Sequence, residues 1–115
     1  MRISKELAKG STGLLVLGVL SKHEMYGYQI IKTVELMSES VFQMNEGTLY
    51  PILHSLEREE FLTAYWAENE ETGRRRKYYK ITEKGLKELA AQKQEWDVYQ
   101  KAVNRVLGDA QVSLA

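Results

Sequence analysis

Seven consecutive residues carry the clearest chemistry in the chain. Arg74-Arg75-Arg76-Lys77-Tyr78-Tyr79-Lys80 holds five positive charges and no negative one. Cations interleaved with phenols suit a phosphodiester backbone, because the cations release condensed counterions and the hydroxyls add neutral donors. In a strand, Arg76, Tyr78 and Lys80 point one way while Lys77, Tyr79 and Ile81 point the other. Tyr79 and Ile81 are expected to face a core, leaving the first set as a basic face. A lone basic run is also the usual device that keeps a sheet edge soluble, so its meaning depends on its neighbours. A second surface lies just upstream. Winding residues 46–59 at about 100° per residue puts Leu49, Ile52, Leu53 and Leu56 on one side. The opposite side carries Gly47, Tyr50, Pro51, His54 and Arg58, flanked by Thr48 and Ser55. Such a face can donate to bases or phosphates, or simply be solvated.

The third candidate lies near the C-terminus. Leu86, Leu89, Lys93, Trp96, Gln100, Val103 and Leu107 recur at alternating spacings of three and four, with Tyr99 and Val106 beside them. That is a heptad seam, so a partner helix is expected, with Leu89, Trp96, Val103 and Leu107 at the dimer interface. Lys93 and Gln100 interrupt the seam. Trp96 therefore reads either as an interface anchor or as the wall of a cavity for a planar aromatic molecule. In the second reading Trp96, Tyr99 and Gln100 form an effector site that Gly10 and Leu14 complete. Catalytic constellations are missing: His23 and His54 are the only histidines, no cysteine occurs, and the eight glycines form no phosphate-cradling loop. No catalytic residue, metal or cofactor is expected.

These candidates need elements to position them. A first helix is expected over residues 5–21, apolar nearly all round and hence buried on several sides. A second follows over 26–38 and a third over 46–59. Either Asn45 or Thr48 can cap the third, and the choice decides whether Pro51 falls harmlessly in the first turn or too deep. The period then changes to two. Residues 61–66 and 75–81 read as an antiparallel hairpin around the polar tip Ala67-Glu68-Asn69-Glu70-Glu71-Thr72-Gly73. Thr82 caps a last helix from Glu83 to Leu107, stopped by Gly108 and roughly 37 Å long. The fold class is mainly α with a small β-hairpin. Three helices followed by a hairpin is the order of a winged helix-turn-helix, whose recognition helix enters the major groove.

The chain has 115 residues and sixteen charges of each sign, so its formal net charge is zero. That balance conceals segregation. Six glutamates against Arg58 alone occupy residues 57–71, directly before the basic run. The acidic tip would repel phosphates and is expected to project away from a duplex. The longest apolar run, Leu14–Leu20, is far too short to cross a membrane. No signal-peptide pattern follows Met1, and the cytoplasm is the expected compartment.

Several separate motifs, in order, resemble PadR-type bacterial transcriptional regulators. They are Leu14-Leu15-Val16-Leu17-Gly18-Val19-Leu20, Tyr26-Gly27-Tyr28-Gln29-Ile30, Asn45-Glu46-Gly47-Thr48-Leu49-Tyr50-Pro51, Gly73-Arg74-Arg75-Arg76-Lys77-Tyr78-Tyr79 and Ile81-Thr82-Glu83-Lys84-Gly85. The resemblance implies a winged-helix repressor that dimerises through its C-terminal helix. With one terminal helix, the chain is similar to the family's short subgroup, some of whose members bind planar aromatic compounds between subunits beside a tryptophan placed like Trp96. The expected organisation is a DNA-binding domain over residues 1–82, a dimerisation helix over 83–109 and a flexible tail over 110–115. The expected DNA-binding set is Tyr28, Thr48, Tyr50, His54, Arg74, Arg75, Arg76, Lys77 and Tyr78. Expected partners are double-stranded DNA with an inverted-repeat operator, a second copy of the chain, and a planar aromatic effector.

Overall fold

A computed structural model describes Met1 and residues 3–108; the expected tail at 110–115 lies outside the described residues. The order is α1 (Lys5–Ala8), α2 (Thr12–Leu20), β1 (Met25–Tyr26), α3 (Gly27–Met37), α4 (Glu46–Arg58), β2 (Leu62–Glu68), β3 (Arg75–Ile81) and α5 (Glu83–Leu107).

The expected single first helix is two. Ser4 caps α1 by accepting from the Leu7 N–H, and the chain breaks at Lys9–Ser11 around Gly10, which is a poor helix former. Thr12 donates its hydroxyl back to the Lys9 carbonyl at 3.1 Å and opens α2. The all-round apolarity of α2 has the expected cause. It touches α3, α4, α5 and β3 and buries Val16, Leu17, Val19 and Leu20.

Asn45 is the cap of α4: its side-chain oxygen accepts from the Thr48 N–H at 2.9 Å. Pro51 therefore lies inside the helix, where it supplies no N–H to the Gly47 carbonyl. Leu49 and Leu53 are fully buried beneath it, so packing of the apolar stripe holds the turn that proline loosens.

The hairpin forms with Leu62 opposite Ile81 and Glu68 opposite Arg75. A third strand was missed. β1, only two residues long, pairs with β3 through Met25 opposite Tyr79 and Tyr26 opposite Tyr78, giving the order β1-β3-β2. The basic strand is thus central at Tyr78 and Tyr79 rather than an edge. Its alternation is as expected: Tyr79 is 1% exposed, in one core with Leu17, Ile30, Leu49, Leu53 and Leu62.

The start of α5 is clasped to the end of α4. Thr82 Oγ1 accepts from the Gly85 N–H at 2.9 Å and donates to the Glu60 carbonyl at 2.7 Å. A Cβ at Gly85 would overlap the Phe61 carbonyl oxygen, so this approach requires glycine. Leu89 is buried in the same core, contrary to its expected exposure in a single chain. Beyond it α5 leaves the head, and the described molecule measures 67 × 31 × 21 Å.

Candidate nucleic-acid interface

The Tyr50 phenol lies against the start of α3 at Gly27, where a Cβ would come 2.6 Å from the Tyr50 hydroxyl and push the ring aside. Tyr50 is 37% exposed, and its ring centre is 6.4 Å from that of His54, one turn along α4. The wing closes the other side. Arg75 and Lys77 share the Tyr79 side of β3, and that side is turned toward α4. Between them lies a groove of about 410 Å³, walled by Tyr28, Tyr50 and His54 from the helices and by Arg75, Arg76 and Lys77 from the wing.

Six of the nine expected DNA-binding residues therefore meet in one place. Thr48, Arg74 and Tyr78 are not among its walls. Thr48 is exposed on the first turn of α4, with its N–H held by Asn45. Arg74 belongs to the wing turn, whose geometry Asn69 sets by accepting from the Glu71 and Thr72 N–H groups. Gly73 supplies the left-handed residue of that turn, with φ 71°.

Tyr78 requires a correction to the expected basic face. It stacks on Tyr65 with centroids 5.7 Å apart and meets Tyr26 edge-on at 5.5 Å. Lys80, on the same face, lies 3.7 Å from Glu24, and Tyr65 donates its hydroxyl to Glu24 as well. That hydrogen bond, foremost, raises the Tyr65 phenol above its ordinary pKa. The outer face of the sheet is thus largely occupied with binding itself together, while Arg75 and Lys77 open toward α4. Arg76 bridges the two faces, with its guanidinium 5.3 Å over the Tyr26 ring. Its Nε is buried without a hydrogen-bond partner.

Sequence reasoning missed Trp66, Tyr26 and Glu46 as walls of the groove. Trp66 sits opposite Lys77 in the hairpin register, and 59% of it is exposed with Arg75 5.8 Å over its ring. Strand alternation counted forward from Leu62 was the available signal, since residues 62, 64 and 66 share a face.

The family model for the "Transcriptional regulator PadR-like family" matches residues 16–91, from α2 into α5. The chain belongs to the PadR-like family of transcriptional regulators. A solved transcriptional regulator from Clostridium thermocellum is similar, with 28% identity and a TM-score of 0.79 over 87% of this chain and 96% of that one. A PadR family transcription regulator from Clostridium difficile shares 35% identity and a TM-score of 0.74 over 86% of this chain and 100% of that one. An uncharacterised protein X from Lysinibacillus sphaericus is 30% identical over 94 residues, 82% of this chain and 85% of its own. These PadR-like structures carry the winged-helix architecture seen here, and the family's members are transcriptional regulators rather than enzymes. Among the described residues no helix is long and apolar enough to cross a membrane, and no group of three His, Cys, Asp or Glu side chains has metal-binding geometry.

The proposed effector and dimer residues lie away from the groove. Trp96 and Tyr99 are 44% and 59% exposed on α5, with ring centres 5.9 Å apart. Gln100 donates to Asp97, whose carboxyl the Lys101 ammonium holds below its ordinary pKa. Gly10 occupies the turn between α1 and α2, and Leu14 packs partly buried against the core. Val103 is half-buried and Leu107 is 77% exposed.

Proposed function

We propose that this PadR-like regulator is a homodimeric, sequence-specific repressor that reads an inverted-repeat operator and is released by a planar aromatic effector. The observation that carries the DNA reading is the groove itself. Tyr50 and His54 of the recognition helix stand beside Arg75 and Arg76 of the wing, so one duplex can meet base-reading and phosphate-binding groups together. Thr48, Tyr50 and His54 take the base edges, while Arg75, Arg76 and the exposed Arg74 take the backbone. Dimerisation is supported by the apolar residues that α5 leaves exposed beyond the head, Trp96, Val98, Tyr99, Val106 and Leu107. A two-fold dimer implies half-sites about one helical turn, roughly 34–36 Å, apart or a multiple of it.

The deciding experiment is recovery and sequencing of duplexes retained by the purified protein, followed by affinity against salt. Arg76→Ala should weaken all sequences alike and flatten the salt slope by about one phosphate contact. Tyr50→Ala should instead change sequence preference. Retention of no sequence above random, with no salt dependence, would leave a protein–protein module as the better reading. The effector is tested separately with Trp66→Phe, which leaves Trp96 as the fluorescent reporter. Planar cationic dyes and phenolic acids are both titrated, because Lys93 favours anions unless a carboxylate such as Asp97, which already pairs with Lys101, neutralises it. A genuine effector quenches Trp96 and lowers DNA affinity by the same factor by which DNA lowers its own.

A further inference from the structure

The three cations of the groove are held differently. Arg75 lies over the Trp66 ring and Arg76 over the Tyr26 ring. Lys77 faces a carboxylate: its Nζ is 3.6 Å from Glu57 Oε1, with the two side chains 34% and 37% exposed. The same ammonium is 5.4 Å above the buried Tyr79 ring. Glu57 comes from α4, where Glu46, Tyr50, His54 and Glu57 follow at spacings of four, four and three and so share one flank of the helix. A carboxylate of the recognition helix is thus the partner of a wing cation, Glu57 itself lying outside the walls of the groove that Lys77 lines.

We propose that Glu57 is a specificity-determining residue that masks Lys77 from phosphate until a duplex is correctly seated. The proposal rests on the DNA-binding reading above. A Lys77 already neutralised by Glu57 releases no counterion on random DNA, so it adds nothing to the non-specific affinity. Glu57 also repels any phosphate that approaches Lys77. On an operator, base contacts from Tyr50 and His54 hold the backbone in place, and a phosphate then replaces Glu57 on the ammonium. Exposed ion pairs are weak enough to be exchanged in this way. Discrimination arises from a repulsive element that only the correct partner offsets.

The test compares wild type, Glu57→Gln, Lys77→Gln and the double variant on random duplexes and on duplexes the wild type selects. Thermal melts establish that each variant is folded. Glu57→Gln should bind random DNA about three- to fivefold tighter, with a salt slope steeper by about one phosphate contact. Selected DNA should gain less, so the specificity ratio falls. Lys77→Gln alone should leave the slope on random DNA unchanged, and in the Glu57→Gln background should remove the slope gained. An unchanged slope in Glu57→Gln, a flattened random slope in Lys77→Gln alone, or a folded Glu57→Gln that binds both DNAs more weakly would each overturn the masking role. The last of these would make the pair a brace between wing and helix. A wild type with no salt-dependent affinity fails differently, because it removes the DNA reading together with the masking built on it.

Discussion

The head and the distal half of α5 handle apolar side chains in opposite ways. From Val16 to Leu89 most of the large aliphatic residues converge on one core inside a single chain, with Leu36 and Met37 at the end of α3 left exposed. Past Leu89, Trp96, Val98, Tyr99, Val106 and Leu107 remain exposed. The head buries most of its aliphatic surface within one chain, and the distal helix does not. The family match also ends at residue 91, close to where α5 leaves the head.

The contrast is broken most severely from the core. Leu53, fully buried on α4, should cost about 2–5 kcal/mol of unfolding free energy when replaced by Ala, read by chemical denaturation. A loss below that range would mean the head leans on α5 and its partner. Trp96→Ala tests the other side. It should weaken self-association by about 2 kcal/mol or more in sedimentation, provided Trp96 is an anchor. Denaturation of the head should stay the same; a stable wild-type monomer at micromolar concentration would remove the contrast altogether.

Asn45→Ala should destabilise the head by about 1 kcal/mol, since the Thr48 N–H loses its side-chain acceptor. Replacing Thr48 by Ala should leave stability nearly unchanged, because only its backbone takes part in the cap. The smallest effect concerns pH. Tyr65 is held protonated by its hydrogen bond to Glu24, so its folded pKa lies above the ordinary 10.0. The unfolded phenol then loses its proton first, and unfolding free energy falls as pH rises past that value. Thermal melts from about pH 8 to about pH 11 should show the decline, less steep in Tyr65→Phe. An identical decline in that variant would assign it to other groups, among them Tyr79, which burial pushes up.

Local signals carried much of this far. The 3.6-residue period placed α3 and α4, the cap at Thr82 and the stop at Gly108 bounded α5, and the two-residue period placed the hairpin. They failed where a decision depended on distant residues. α1 and α2 read as one helix because apolar periodicity runs through Gly10, and the break costs little in an exposed turn. β1 is two residues long, too short for any period to register, and exists because Met25 and Tyr26 find Tyr79 and Tyr78 more than fifty positions later. Leu89 matched the seam by spacing, yet its burial depends on where α2 crosses α5.

The sequence alone determined most of the element types, the polar face of α4, the basic strand and the family, because each rests on residue types within a few positions of one another. Tertiary structure decided how those charges are used. Alternation says that Lys77 and Arg76 point to opposite sides, but not that Glu57 waits opposite the one or that Tyr26 lies beneath the other. Such pairings depend on the angle between wing and recognition helix. That angle is set by the packing of Tyr79, Leu62 and Leu53 in one core, which no local pattern contains.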